Sequence, residues 1–182
     1  MSEYEYDLVV VGAGPAGSSA AYAAAKNGIK VALLEKEENV AQTVRTSGVT
    51  WIDYAKEFGI PEDCYNPIRT YNFCSPKNTI SISDDKPKAA VLDVRKTYRF
   101  LADQAKKNGA KIFVNTNVTE VITEDGRVVG VKASSSNEEM TFRAKVVIDA
   151  SGFQSVVSKS LGLVNNGRDL VWAQNMKWKL RM

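Results

Sequence analysis

The sequence YDLVVVGAGPAGSSAAYAAAKNGIKVALLE, residues 6–35, contains three segments of different periodicity. The apolar run at 8–11 is rich in valine, which favours a strand buried on both faces of a sheet. Residues 18–27 are mostly small helix formers without a breaker, and Gly28 follows where a helix ends. A second apolar run leads to Glu35. The pattern predicts a strand, a glycine turn, a helix and a second strand.

The turn between the first strand and the helix has the spacing GxGxxG, which is typical of pyrophosphate binding. Gly12 allows a tight turn, Gly14 lets a pyrophosphate approach the backbone without meeting a Cβ, and Gly17 lets the helix pack closely on the sheet. The N–H groups and the positive dipole end of the helix would hold the phosphates. Pro15 fits the first helical turn because it lacks a donor that would be unsatisfied there.

Glu35 ends the second strand at the distance expected for an acid that binds the two hydroxyls of an adenosine ribose. NAD and FAD contain the same adenosine diphosphate, so the motif alone does not choose between them. A glycine turn in an α/β domain without any ligand is the alternative. The strand before the turn, the helix after it and the acid at the correct spacing argue against that alternative.

Length and composition bound the remaining classes of protein. The 182 residues suffice for one well-buried domain, or for one domain and part of another. A content of 44% hydrophobic and 25% charged residues is that of a globular protein. The net charge of +3 comes from scattered lysines without a basic stripe, so we expect no nucleic-acid partner.

Cysteine and histidine usage excludes several kinds of catalytic site. Cys64 and Cys74 lack metal-ligand spacing, which predicts two unpaired thiols in a reducing compartment and no metal. The chain has no histidine, and this removes Ser-His-Asp triads, Cys-His pairs and zinc sites of the HExxH type. No signal peptide or membrane-length apolar run is visible, so we expect a cytoplasmic protein.

The rest of the chain alternates between helical and strand patterns. Apolar residues at helical spacing predict a helix at 51–58, and period-two alternation predicts a hairpin of 71–74 with 79–83 around the turn 75–78. Asp93 is a plausible N-cap for a helix that ends near Asn108. Further extended segments are predicted at 89–92, 110–114, 118–123, 127–133, 140–143 and 144–149, with a short helix through Leu161.

The segment 171–180 alternates between apolar and polar residues, with Trp172, Met176 and Trp178 on one face. This pattern predicts a strand with one strongly apolar face. An uncovered face of that kind promotes association. We therefore expect either a truncated product or a second chain or oligomer that covers this strand.

Four blocks of the sequence resemble the flavoprotein superfamily that includes geranylgeranyl reductases, aromatic-ring hydroxylases and related monooxygenases. These are Tyr6 to Gly17, Glu35-Lys36, the segment from Leu92-Asp93-Val94-Arg95 to Ala102, and Val146 to Ser155. The geranylgeranyl reductase branch fits best, on the opening Gly-Pro-Ala-Gly-Ser-Ser-Ala and the block around Asp149. The chain resembles the N-terminal half of such an enzyme.

The resemblance implies an α/β fold, in which a Rossmann-like FAD-binding domain has a parallel sheet and a β-meander. Residues 1–50 and 92–164 would form this discontinuous domain. Residues 51–91 and 165–182 would belong to an incomplete, antiparallel substrate-binding domain that interrupts it.

The resemblance also implies that FAD is bound non-covalently. The loop at 45–48 would lie beside the isoalloxazine, Arg95 near the flavin side, and the backbone of Val118 beside the adenine. The residues expected to bind the cofactor are Gly12, Gly14, Pro15, Ala16, Gly17, Glu35, Lys36, Arg45, Thr46, Ser47, Gly48, Arg95, Val118, Asp149 and Gly152.

The activity implied is saturation of isoprenoid C=C bonds in lipids or pigment side chains by hydride transfer from reduced FAD. NADPH or a ferredoxin-like protein would supply the electrons, and a lipid substrate suggests contact with a membrane surface. The catalytic residues are unknown, with Tyr54, Tyr71 and Cys74 as candidates for the proton donor because they titrate. An FAD-dependent monooxygenase and a non-catalytic FAD-binding half of a split enzyme are the alternatives.

Overall fold

The computed structural model describes residues 2–136 and 138–163. The described chain forms, in order, β1 (Ser2–Val11), α1 (Pro15–Lys26), β2 (Val31–Leu34), β3 (Val49–Trp51), α2 (Ile52–Glu57), β4 (Tyr65–Ile68), β5 (Thr70–Cys74), β6 (Thr79–Ser83), β7 (Ala89–Leu92), α3 (Val94–Lys107), β8 (Lys111–Phe113), β9 (Asn117–Glu124), β10 (Arg127–Ser135), β11 (Glu138–Asp149) and α4 (Val156–Ser160). Short 3-10 turns precede β4, at Glu62–Cys64, and α4, at Gly152–Gln154.

The described chain divides into two compact units, one formed by residues 2–43 and 98–163, the other by residues 44–97. The first unit contains a six-stranded sheet in the order β8-β2-β1-β11-β10-β9. Strands β8, β2, β1 and β11 are parallel to one another, while β10 and β9 continue the sheet as an antiparallel meander. The predicted α/β class, with a parallel sheet and a meander, is confirmed.

Both faces of this sheet are covered. On one face, alanines of α1 and α3 pack against apolar residues of β1 and β2, among them the fully buried Val10 and Leu33. Small side chains let these helices approach the sheet closely. The other face contains Val157 of α4 and an aromatic cluster in which the Tyr4 and Phe142 rings stack with centroids 5.0 Å apart. This two-sided burial explains why the central strands are nearly continuous runs of valine and leucine.

One predicted boundary is wrong. The segments 140–143 and 144–149 were expected to be separate strands, one in the meander and one in the parallel sheet. They form the single strand β11, which pairs in parallel with β1 from Ser2 to Val11 and antiparallel with β10. One long strand therefore joins the two parts of the sheet.

The second unit contains two small antiparallel sheets, β3-β7-β4 and the hairpin β5-β6. The hairpin matches its prediction, as does the extended segment β7. Strands β3 and β4 were not predicted. A small core forms where Ile52 and Ala55 of α2 meet Tyr65 and the fully buried Ala90.

The assignment of 51–91 with 165–182 to a substrate-binding domain stays a prediction. The strand predicted at 171–180 lies outside the described residues. Within the described ranges, no helix has the length and apolar character needed to cross a bilayer.

Candidate functional site

The glycine turn leaves the sheet at the carboxyl ends of three neighbouring strands. Val11, the last residue of β1, is in register with Leu34 of β2 on one side and Asp149 of β11 on the other. The same edge of the sheet therefore carries three neighbouring features: the glycine turn, Glu35 and the segment that follows Asp149. This edge of an open α/β sheet is where ligands bind.

The three glycines of the turn meet different surroundings. A Cβ on Gly12, which has a φ of +101°, would lie 2.5 Å from the carbonyl oxygen of Ala150, and a Cβ on Gly17 would clash with the carbonyl oxygen of Gly12. A Cβ on Gly14 would meet no atom within 4 Å. Gly12 and Gly17 are therefore required by the packing of the chain on itself. The space beside Gly14 is open, as a pyrophosphate would require.

Helix α1 points its N-terminus at this space. Pro15 begins the helix, as the sequence predicted, and the first turn contains no acidic residue. The N–H groups of a first helical turn have no partner within the helix, and the helix dipole adds positive potential. The turn can therefore hold an anionic group through its backbone.

Ser18 is a structural residue of this turn that the sequence pattern did not predict. Its side chain is fully buried, and its hydroxyl donates a hydrogen bond of 3.2 Å to the carbonyl oxygen of Ala13. This bond holds the turn against the first turn of α1. The available signal was a small polar residue directly after the third glycine.

Glu35 is half-buried and contacts the turn directly. One carboxylate oxygen accepts a hydrogen bond of 2.9 Å from the backbone N–H of Ala13, and the other accepts one of 3.0 Å from the N–H of Glu37. A carboxylate oxygen can accept more than one hydrogen bond. Glu35 can therefore support the turn and also accept a hydroxyl hydrogen from a ligand.

Asp149 binds the chain that follows it. One of its carboxylate oxygens accepts hydrogen bonds from the N–H and hydroxyl of Ser151, at 3.2 and 2.5 Å. The other accepts from the N–H and hydroxyl of Ser158, both at 2.8 Å. Burial by itself would raise the pKa of Asp149, but these hydrogen bonds outweigh it and lower the pKa below its ordinary value. Asp149 stays ionised and holds α4 beside the glycine turn.

Three further predicted residues lie around this edge. The ammonium group of Lys36 donates a hydrogen bond of 3.1 Å to the side chain of Gln154, which links the end of β2 to the segment after β11. In that segment Gly152 has a φ of +68° and an open Cβ position. Val118 is buried in β9. Two residues before it, the backbone N–H of Thr116 donates a hydrogen bond of 2.8 Å to the carbonyl oxygen of Glu35. The first unit thus brings Glu35, Lys36, Asp149, Gly152 and the glycine turn to one edge.

The remaining predicted cofactor ligands belong to the second unit. Gly48 has a φ of +76°, and its carbonyl accepts a hydrogen bond of 2.9 Å from the N–H of Leu92. A Cβ there would lie 2.8 Å from a methyl group of Val94, so the loop packs against the start of α3. Arg45, Thr46, Ser47 and Arg95 are exposed on this loop and on the first turn of α3. Their contact with a cofactor stays a prediction.

The three candidate proton donors also lie in the second unit. Tyr54 is exposed on α2, Tyr71 is half-buried in β5, and Cys74 is exposed at the end of β5. Both cysteines are free thiols, as predicted. The described structure assigns a catalytic role to none of these three groups.

These residues fit a dinucleotide. An open space beside Gly14, a helix N-terminus behind it and a carboxylate at the end of the next strand match the needs of a pyrophosphate and an adenosine ribose. The fold and this edge define an α/β dinucleotide-binding protein. The chain belongs to the family of FAD dependent oxidoreductases, whose pattern matches residues 7–164. FAD is therefore the cofactor, as predicted.

Named relatives agree with the predicted branch. The chain is 37% identical to digeranylgeranylglycerophospholipid reductase of Methanocaldococcus jannaschii, over 87% of this chain and 41% of the relative. Among solved structures, a geranylgeranyl bacteriochlorophyll reductase-like protein from Thermoplasma acidophilum is 33% identical, with a TM-score of 0.80 over 88% of this chain and 43% of that one. The flavin-dependent brominase Bmp2 is 26% identical, with a TM-score of 0.69 over 86% of this chain and 40% of that one. The chain thus spans less than half the length of these relatives.

Proposed function

We propose that this chain is the FAD-binding part of a reductase that saturates C=C bonds of isoprenoid chains in lipids or pigment side chains. The observation that carries the proposal is the 37% identity to a digeranylgeranylglycerophospholipid reductase over 87% of the chain. The open space at Gly14 and the carboxylate of Glu35 support it, because they supply the two contacts that the adenosine diphosphate part of FAD needs.

In this proposal bound FAD, once it is reduced, would supply a hydride to one carbon of the C=C bond, and a proton would add to the other carbon. The chain's own residues bind and orient the cofactor. The turn and the N-terminus of α1 hold the pyrophosphate, Glu35 holds the ribose, and Asp149 fixes α4 beside the turn through Ser151 and Ser158. The loop at 45–48 and Arg95 would contact the flavin side.

Two experiments on the purified 182-residue chain test the proposal in order. The visible absorption spectrum after gel filtration with added FAD tests cofactor binding, and we expect flavin bands that travel with the protein. The protein with bound FAD is then reduced with dithionite under argon and mixed with a geranylgeranyl lipid, and mass spectrometry detects addition of hydrogen to the lipid. If the chain binds flavin but does not reduce the lipid, it is an FAD-binding module without reductase activity of its own. A chain that binds no FAD would contradict the proposal.

A flavin-dependent monooxygenase is the second candidate, favoured by the structural similarity to the brominase Bmp2. It is distinguished by admitting oxygen to the reduced protein. Rapid flavin oxidation coupled to a hydroxylated product would favour the monooxygenase. Oxidation of the flavin coupled to lipid reduction under argon would favour the reductase.

A further inference from the structure

The hairpin of β5 and β6 is the most exposed element of the described chain. Nine of its ten strand residues are exposed, and the tenth, Tyr71, is half-buried. Within the described residues, the two strands pair only with each other. An isolated two-stranded hairpin is marginally stable in water, so a surface that covers one of its faces would stabilise it.

The two faces of this hairpin differ completely in chemistry. Tyr71 is paired with Ile82 and Phe73 with Ile80, and cross-strand partners lie on the same face. Phe73, Ile80 and Ile82 are 61%, 63% and 54% exposed. On the other face, the hydroxyls of Thr70 and Ser83 are 3.1 Å apart, and Ser81 donates to the side chain of Asn72 at 2.6 Å. The polar side chains thus bond to one another, and four apolar side chains form an exposed patch.

The charges around this apolar patch are predominantly positive. Lys77, in the turn at the tip, is the only charged residue between Thr70 and Ser83. Arg69, Lys86 and Lys88 are exposed at the base, where the carboxylates present are Asp84 and Asp85. An apolar face edged by lysine and arginine is the composition of elements that lie in the interface of an anionic bilayer. A second copy of the chain would bring two net-positive hairpins together, whereas an anionic lipid surface complements them.

We propose that the β5-β6 hairpin docks the protein on an anionic phospholipid surface, with the four apolar side chains in the headgroup and acyl boundary. Each strand has five residues, about half of what a strand needs to cross a bilayer. The open strand edges also require water or headgroups as hydrogen-bond partners. The hairpin would therefore lie in the interface. The proposal rests on the hairpin alone, so vesicle binding by a chain that takes up no FAD would leave it standing.

Vesicle co-sedimentation of the full chain tests the proposal. We expect binding to phosphatidylcholine vesicles that contain phosphatidylglycerol, and weaker binding to pure phosphatidylcholine or at high salt. Phe73→Ser should lower the partition coefficient about tenfold, because it removes one of the inserted aromatic side chains. Lys77→Gln should lower it roughly fivefold on anionic vesicles, since one cation near such a surface contributes about 1 kcal/mol.

Phe58→Ser is the matched control, because Phe58 is 63% exposed and lies directly after α2, outside the hairpin. It should leave vesicle binding unchanged. Equal losses for both phenylalanine variants would overturn the assignment to the hairpin. Absence of binding to anionic vesicles would overturn the proposal, as would a dimer in solution that Phe73→Ser dissociates.

A fluorescent label on the apolar face of the hairpin provides a second measurement. Ile80 lies on that face and is 63% exposed, whereas Cys74 lies on the polar face, where it pairs with Thr79. In a chain with both Ile80→Cys and Cys74→Ser, the remaining native thiol, Cys64, is buried, so a polarity-sensitive maleimide dye labels position 80 selectively. We expect its emission to shift to the blue when anionic vesicles are added. An unchanged emission in a sample that co-sediments with vesicles would show that another surface binds them.

Discussion

Gly14 and Gly17 stand three positions apart in one turn, yet the structure gives them different tasks. A Cβ on Gly17 would meet the backbone of Gly12, so this glycine is needed for folding. A Cβ on Gly14 would meet only open space, and its φ of −69° suits any residue. The same chemical change at these two positions therefore separates folding from cofactor binding.

We predict that Gly14→Ser abolishes or weakens FAD binding without loss of stability. Serine is at least as good as glycine at a helix N-cap, so the melting temperature should stay the same or rise slightly. The side chain would occupy the space assigned to the pyrophosphate, and the FAD dissociation constant should rise tenfold or more, which is about 1.4 kcal/mol. Fluorescence titration with FAD and thermal unfolding measure the two effects.

Gly17→Ala is the contrasting variant. It should lower the free energy of unfolding by about 2–4 kcal/mol, because the backbone must shift to admit the methyl group. If Gly14→Ser were to bind FAD with unchanged affinity, the pyrophosphate would lie elsewhere.

The carboxylate of Asp149 makes folding stability depend on pH. Its pKa in the folded chain is lowered, because hydrogen bonds from Ser151 and Ser158 outweigh the effect of burial. The ionised group therefore contributes stability above its unfolded pKa of about 4. That contribution is lost as the pH falls through the lower folded value. The unfolding free energy should accordingly decrease in acid.

We predict that Asp149→Asn lowers the unfolding free energy by about 1 kcal/mol at pH 7, since the group is only partly buried. The difference between wild type and variant should shrink below pH 4, where the wild-type carboxyl also becomes neutral. Urea unfolding at pH 7 and pH 3 measures both. Asp103→Asn, at an exposed position of α3, is the control and should change stability little at either pH. A difference that grows in acid would contradict the assigned hydrogen bonds.

At the scale of elements, helix α3 begins as the sequence predicted. Asp93 accepts a hydrogen bond of 3.0 Å from the N–H of Lys96, which is the geometry of an N-cap. We predict that Asp93→Ala lowers the free energy of unfolding by about 1 kcal/mol, and thus the melting temperature by about 2–4 °C. Asp93→Ser, which keeps an oxygen at the cap, should restore most of the loss. Equal melting temperatures for the two variants would show that the cap contributes nothing.

The ends of some strands could not be predicted from the sequence pattern. In β11 the inward residues Met140, Phe142 and Ala144 alternate with outward ones, and the alternation ends after Lys145, where Val146 is 55% exposed. The sequence pattern predicted a boundary just before this point, between Arg143 and Ala144. The neighbouring β1 has a charged residue, Asp7, at the corresponding point, and the two side chains form an ion pair of 2.7 Å. The strand continues through this point because β1 provides an opposite charge for Lys145. The sequence pattern of β11 alone does not show which residue of another strand will lie beside it.

The two strands that were missed are short and have little pattern of their own. β3 has three residues, and β4 contains Pro67, which argues against a central strand. Within the described residues β4 pairs with β7 alone, at the edge of its sheet, which is where proline is tolerated. At the site, the glycine spacing and Glu35 could be predicted from the sequence, because the turn after a strand and the end of the next strand require these residues at fixed positions. The roles of Ser18 and Ser158 could not be predicted, since they depend on which carbonyl or carboxylate group the fold brings near each hydroxyl.

At the scale of the whole molecule, the described chain combines a well-buried unit that holds the glycine turn with a hairpin that is exposed on both strands. A ligand stabilises the parts of a protein whose opening releases it, by about 2.7 kcal/mol at a concentration one hundred times its dissociation constant. FAD should therefore stabilise the unit that holds the glycine turn more than it stabilises the hairpin.

We predict that saturating FAD slows amide hydrogen exchange up to about a hundredfold in the segments 11–18, 33–37 and 148–158 of the first unit. These segments meet at one edge of the sheet through Glu35, the glycine turn and Asp149. Residues 70–83 should exchange rapidly with and without FAD, because the hairpin has few buried contacts. Exchange measured by mass spectrometry with Gly14→Ser as control checks this, since that variant should show about a tenth of the wild-type protection or less at the same FAD concentration. Protection of the hairpin by FAD in the absence of vesicles would mean that the cofactor, and not a lipid surface, orders this element.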